Sequence, residues 1–341
     1  MLRYRLGRLF ALAVSALTVS ACSVIGIPDS PLNSLDPKGP FARRIDDLFW
    51  PVFWVAAAVF VLVEGAVLVT AIAFRDRPGR QEPRQVHGNT KLEILWTVIP
   101  VAILASIAVP TVRGILDLTE CGADAYRVDV IGHQWWFEYR YPEAGGLQTA
   151  SVMVIPAGRE VCAQMTSDDV IHNFWVPSLN GKRYLIPGQT TVLRLQADEP
   201  GLYQGQCAEF CGLSHSLMKA QVRALPEAEF QAWLSSQAEP AAEPAEGTPA
   251  FDGYQVFLNR CTQCHTLQPF NEVDPAAFNG PNLTHLMDRG VIAGAYREYS
   301  RENLATWLAN PPGEKPGSFM PDLALTQQEI DVLIAFLETL Q

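Results

Sequence analysis

The spacing of apolar positions changes character three times along this chain, and each change predicts a different kind of element. Two long runs without alternation come first. Residues 49–74 carry Glu64 as their only charge, and a second run extends from 94 to about 116. As helices, both are long enough to cross about 30 Å of hydrocarbon. A carboxylate facing lipid is costly at that depth, so Glu64 is expected to face protein. Pro100 and Pro110 bend the second helix. From 125 to 225 short β-rich runs follow, such as 126–131 and 190–195. Turn signals separate them at Pro142, Gly145 with Gly146, Pro156 with Gly158, Pro187 with Gly188, and Pro200 with Gly201. That rhythm predicts a small all-β sandwich or barrel. Residues 235–249 are rich in Pro, Ala and Glu and have no apolar period, the composition of a semi-extended linker. Helical segments return at 252–260, 301–309 and 326–340. The last opens on a Thr326/Glu329 capping box before a stripe of Ile330, Leu333, Ile334 and Leu337. The fold class is therefore a multi-domain membrane protein, with a two-helix transmembrane hairpin, an all-β sandwich and an all-α domain.

Charge sets the orientation. Arg3, Arg5 and Arg8 precede an apolar stretch over 9–19, and Ser20 and Ala21 precede Cys22. This is a secretory leader over 1–21. A cysteine after the small pair resembles a bacterial lipoprotein leader, in which Cys22 is lipidated; a plain leader or an uncleaved anchor is the alternative. The loop 75–91 holds five basic residues against two acidic, which places it in the cytoplasm. Both ends of the hairpin then face outward. The expected order is an extracytoplasmic segment 22–48, spans 49–74 and 92–116, a β domain 117–234, the linker 235–249 and an α domain 250–341. Residues 117–341 hold thirteen Lys and Arg against twenty-eight Asp and Glu, a net of −15. Such a field attracts a basic partner, or simply serves solubility, and it excludes nucleic acid. Cys121 and Cys162 fall in an oxidising compartment, where a disulfide is expected; two buried thiols are the alternative.

The chemistry concentrates in twelve residues. Cys207, Glu209, Cys211, His215 and Met218 lie close enough for one loop to present two thiolates, an imidazole and a thioether to one metal cluster. Soft donors select copper or zinc over magnesium or calcium. Zinc leaves Met218 without a role, whereas copper uses every donor. His172, thirty-five residues before Cys207, supplies a second imidazole if the fold brings it in.

Together the Cys207-to-Met218 run and the Asp168-to-Ser178 run resemble subunit II of cytochrome c oxidase. The resemblance implies a cupredoxin-like Greek-key sandwich holding the dinuclear copper centre CuA. Cys207 and Cys211 would bridge the coppers, His172 and His215 would each cap one, Met218 would be a weak axial ligand, and the Glu209 carbonyl would complete the set. The Glu209 carboxylate would point to a magnesium shared with subunit I. Glu93, at the start of the second span, would correspond to a carboxylate near a proton path in subunit I; a position at the headgroup boundary is the plainer reading. Trp135 would be an exposed indole through which electrons enter from cytochrome c. The family has Trp-Tyr-Trp where this chain has Trp135, Trp136 and Phe137, so local packing departs from the pattern. Plain packing suits Trp136 and Phe137, and His133 reads as a supporting or core histidine.

Cys261, Cys264 and His265 form the Cys-x-x-Cys-His attachment sequence of a c-type heme. This domain resembles class I cytochrome c, which implies two thioether bonds, His265 as an iron ligand oriented by the Pro281 carbonyl, and Met320 as the distal ligand; His285 and Met287 are weaker candidates. The whole reads as a heme-c-fused subunit II of an aa3-like terminal oxidase. Electrons would pass from cytochrome c or a cytochrome bc complex to heme c, then CuA, then subunit I, for oxygen reduction coupled to proton translocation. Subunits I and III are the implied partners and the bacterial plasma membrane the location. Alternatives are a CuA-bearing subunit of a nitric oxide reductase, or a membrane-tethered copper and heme carrier.

Overall fold

A computed structural model describes residues 30–341 except 76–77, 80–84, 86 and 269–279. The leader and Cys22 lie outside the described residues.

Helix α1 spans Pro40–Ala73, nine residues earlier than the apolar run begins. Pro40 occupies its first turn, where a missing N–H costs nothing. The early start has a packing cause. Phe41 and Ala42 are buried, the Ala42 amide donates to Leu179 O at 3.1 Å, and Arg43 pairs with Asp198. A Cβ on Gly39 would lie 2.0 Å from Gln196 O, so glycine is what lets the chain pass this close to the sandwich. Helix α2 spans Thr90–Thr119 and includes Pro100 and Pro110. Asn89 caps it by accepting from the Leu92 amide at 3.3 Å, and Glu93 reaches back to the Asn89 amide at 3.2 Å. None of the most apolar window of either helix is buried within the chain, so both offer their length to lipid or to another subunit.

The β domain follows as β1 Tyr126–His133, β2 Trp136–Tyr141, β3 Leu147–Ala150, β4 Val152–Pro156, β5 Val161–Ser167, β6 His172–Trp175, β7 Arg183–Leu185, β8 Thr191–Leu195, β9 Gly201–Cys207 and β10 Lys219–Leu225. They form two five-stranded sheets, ordered β3-β2-β1-β5-β8 and β4-β10-β9-β6-β7. The pairs β1/β5 and β4/β10 are parallel. Phe137, Tyr139, Met153, Met165 and Phe174, all fully buried, fill the space between the sheets. Cys121, just past α2, is disulfide-bonded to Cys162 on β5, with Cα atoms 5.8 Å apart. The second span is thereby tied to the sandwich.

Helix α3, Glu227–Gln237, buries Phe230 and Trp233 and carries helical structure into the stretch expected as linker. Beyond it the Ala241 amide donates to Gln268 O at 2.8 Å, so the connection runs along the last domain rather than standing free. That domain comprises α4 Pro249–Arg260, the short pair β11 Val291–Ile292 and β12 Arg297–Glu298, then α5 Arg301–Ala309, α6 Pro311–Glu314 and α7 Gln327–Leu337. Helices α4 and α7 cross at Gly253, where a Cβ would lie 1.9 Å from Val332 O. The Thr326/Glu329 capping box forms at the start of α7.

Candidate copper and heme centres

Register assembles the first site. Phe174 on β6 pairs with Cys207 at the end of β9, which places His172, two residues earlier on the same face, beside the Cys207 thiol. The chain then turns through Cys211 and a short helical turn at His215–Leu217 before β10 begins, and Met218 comes back under the loop. Cys207 Sγ lies 3.8 Å from Cys211 Sγ, and both thiols are free. His172 Nδ1 is 4.0 Å from Cys207 Sγ, whereas His215 Nδ1 is 3.5 Å and Met218 Sδ 3.9 Å from Cys211 Sγ. Glu209 O is 3.3 Å from Cys207 Sγ. Each imidazole thus lies beside a different sulfur.

Electrostatics point the same way. Cys207 ionises first: the Cys211 thiol donates to it and holds it well below the ordinary thiol range. Cys211 is pushed far up by that same neighbour. Two buried thiolates at this separation repel, so only a cation between them permits both to ionise. Soft, buried and adjacent, the donors fit copper.

The surrounding contacts fix the ligands. His172 Nε2 donates to Asp169 Oδ1 at 2.7 Å, which turns Nδ1 toward the sulfurs. Asp169 Oδ2 also accepts the Gln134 amide at 2.6 Å. Sequence reasoning did not assign Asp169 a role; its spacing three residues before His172 was the available signal. Gly132 leaves room for the His172 ring, because a Cβ there would lie 2.8 Å from His172 Cδ2. The Glu209 carboxylate faces the Tyr184 hydroxyl and raises its pKa. His133 is no ligand: its Nε2 bonds Glu138 at 3.0 Å and its ring stacks on Trp136.

The second site is a cavity of about 210 Å³ in the last domain, lined among others by Cys261, Cys264, His265 and Met320. His265 Nδ1 bonds Pro281 O at 2.9 Å, and burial lowers the His265 pKa, keeping the imidazole neutral as a metal ligand must be. His285 bonds Gln341 O and Glu239 O through its two ring nitrogens, which removes it as an axial candidate. Arg289 is buried in the cavity wall with its Nε unpartnered. Burial pulls its pKa down to about 10, and its Nη2 donates to Asn282 O. Apolar walls, paired thiols, a neutral histidine, a thioether and a buried cation together fit heme c.

Trp135 corrects an expectation. The resemblance implies an exposed indole, but Trp135 is only 5% exposed, because Gly294, Lys315 and Gly317 of the last domain lie on it. Its Nε1 donates to Cys211 O at 3.0 Å, and its ring also lines the heme cavity.

Comparison with known proteins decides the family. Residues 31–113 match the transmembrane domain of cytochrome c oxidase subunit II, residues 146–225 its periplasmic domain, and residues 250–341 cytochrome c. A cytochrome c oxidase subunit 2 of Alkalihalophilus pseudofirmus is 39% identical over 339 residues, covering 97% of this chain and 96% of that protein. The chain belongs to the cytochrome c oxidase subunit II family. The subunit 2 of Bacillus subtilis is 31% identical over 356 residues, covering 97% and 96%. Among solved structures, the periplasmic domain of subunit II of cytochrome oxidase from Bradyrhizobium japonicum is 29% identical, covers 34% of this chain and 95% of its own length, and has a TM-score of 0.33. As a subunit II with a cytochrome c domain, the chain is part of a membrane-embedded cytochrome c oxidase, an oxidoreductase. The family implies CuA and heme c, and the two donor sets match them.

Proposed function

We propose that this chain accepts electrons at heme c and delivers them through CuA to subunit I, where oxygen is reduced to water with proton translocation. The observation that carries this reading is Trp135, which lines the heme cavity and bonds a backbone carbonyl of the copper loop. Cys261 and Cys264 hold the heme covalently; His265 and Met320 ligate its iron. His172, Cys207, Cys211, His215, Met218 and the Glu209 carbonyl hold two coppers. When bound, the copper pair would supply a one-electron redox site, and the stiff sandwich would keep its donors still. The apolar surroundings of Met218 and His172, both fully buried, exclude water from that site. A His265/Met320 pair raises the heme potential, as feeding an oxidase requires.

Further assignments follow from the same reading. The Glu209 carboxylate holds a magnesium at the junction with subunit I, and Glu93 stands near the mouth of a proton path. The sandwich and the cytochrome domain face the extracytoplasmic side, their net charge of −15 drawing a basic cytochrome c or the acceptor end of a bc complex. Subunit III completes the assembly, and Cys22 carries lipid. Rapid mixing of the oxidised complex with a reduced donor, under exclusion of oxygen, tests the order. Heme c is expected to become reduced first and CuA at the expense of heme c; direct reduction of CuA ahead of heme c would contradict it.

A further inference from the structure

The face that the cytochrome domain turns toward the sandwich is shaped to one residue. A Cβ on Gly294 would lie 2.7 Å from Trp135 O, and one on Gly317 would lie 2.6 Å from the Trp135 ring, so both glycines permit a close approach at the same indole. Between them sits Lys315, 4% exposed, whose Nζ donates to Trp135 O at 2.6 Å and to Ala293 O at 2.7 Å. One ammonium therefore joins a backbone carbonyl of the sandwich to one of the cytochrome domain. Next to it, Ser214 of the copper loop donates to Pro316 O at 2.7 Å. No carboxylate pairs with Lys315 among the described residues. Burial without a counter-charge pulls the Lys315 pKa down to about 7, and an apolar side chain would fill the volume without that cost. What the ammonium provides and a methionine would not is a fixed link between the two domains at Trp135.

We infer that Lys315 is a positioning residue for electron transfer from heme c to CuA, holding the cytochrome domain against Trp135 and closing that indole to any external donor. This rests on the proposed route and adds a consequence to it. A soluble donor must dock on the cytochrome domain, because the sandwich surface over Trp135 is already covered by this chain's own last domain. A second anchor, farther off, holds the domain independently: Asp288 accepts from Arg223 at 2.7 Å and from Trp233 Nε1 at 2.7 Å. Loss of Lys315 is therefore expected to loosen the fit at Trp135 without releasing the domain.

The test uses the intact oxidase complex with Lys315→Met, Lys315→Arg and Gly294→Ala. The last keeps the Lys315 side chain but adds a methyl group in the same gap, its Cβ 2.7 Å from Trp135 O and 2.9 Å from Lys315 Nζ, at a position whose own φ is +71°. Electrons are injected into heme c by a photoexcited dye and the CuA absorbance is followed; relaxation enhancement of the CuA electron-spin resonance by the heme reports their separation. In Lys315→Met and Gly294→Ala, the heme-to-copper step is expected to slow severalfold as the gap at Trp135 opens. Relaxation enhancement should weaken while copper content, heme content and the spectrum of each isolated centre stay as in the parent. Lys315→Arg, still a donor, should recover part of the rate. Parent rates and parent relaxation in both Lys315→Met and Gly294→Ala would overturn the inference. If the parent complex itself shows no transfer from heme c to CuA, the proposed route fails instead.

Discussion

Cys207 and Cys211 are poor neighbours for each other without a metal and good ones with it. Their sulfurs sit 3.8 Å apart in a buried site, each with its own imidazole. Replacing Cys211 by Ser removes a bridging thiolate, and the expected result is loss of the copper-pair spectrum, read by electron-spin resonance. Asp169→Asn leaves every ligand in place but weakens the hydrogen bond that orients His172. Copper affinity is expected to fall about 10- to 100-fold, measured by competition with a chelator. The donor cluster was legible in the sequence because chemistry dictates both the type and the spacing of the side chains that the fold brings together. Asp169 was not, since an aspartate three residues before a histidine is equally an ordinary loop residue until register places its carboxylate. Trp135 was read with the wrong exposure. Nothing in the local sequence says that the last domain will fold over it, and Gly294, Lys315 and Gly317 become meaningful only once that domain is docked.

Among the elements, the junction between α2 and the sandwich is tied by a covalent bond as well as by polar contacts. The Cys121–Cys162 disulfide closes a loop with a sequence separation of 41. Removing it by the double substitution to Ala is expected to lower stability by about 2–4 kcal/mol, measured by denaturant unfolding. Glu160 adds a pH-sensitive tie at the same place: it accepts from Arg194 Nε at 2.9 Å and from the Gly122 amide at 2.9 Å, while Arg194 also holds Asp117 O. Burial opposes its ionisation, but Arg194 and the Gly122 amide outweigh that and lower its pKa. A carboxylate whose folded pKa is depressed contributes stability above its unfolded pKa and loses it as pH falls through the folded value. Glu160→Gln should therefore be less stable than the parent near neutral pH, and the difference should close in acid; a constant difference across that range would show that the charge is not what matters. The element types were readable from periodicity. The boundary of α1 was not, because its extra turns are held by Leu179 and Asp198 of the sandwich, partners invisible to a local pattern.

At the scale of the whole molecule, two modules with separate cores share one functional seam. The sandwich core and the α4/α7 core would each be expected from apolar periodicity alone; at the seam Val291 and Ala295 of the last domain pack into the sandwich core, and polar contacts join Lys315 with Trp135, Ser214 with Pro316, and Asp288 with Arg223 and Trp233. These polar contacts have no period and leave no pattern in a sequence. On the proposed route, they would make the chain an electron conduit with a fixed inlet rather than a receptor for whatever donor lands on the sandwich. All of it depends on the two centres being present in one chain. Metal and heme analysis of the full chain purified in detergent tests that most directly. The account predicts two coppers for each covalently bound heme. Zinc in place of copper, or a Cys207–Cys211 disulfide with no metal at all, would contradict it and leave a tethered cytochrome beside a sandwich that carries no electrons.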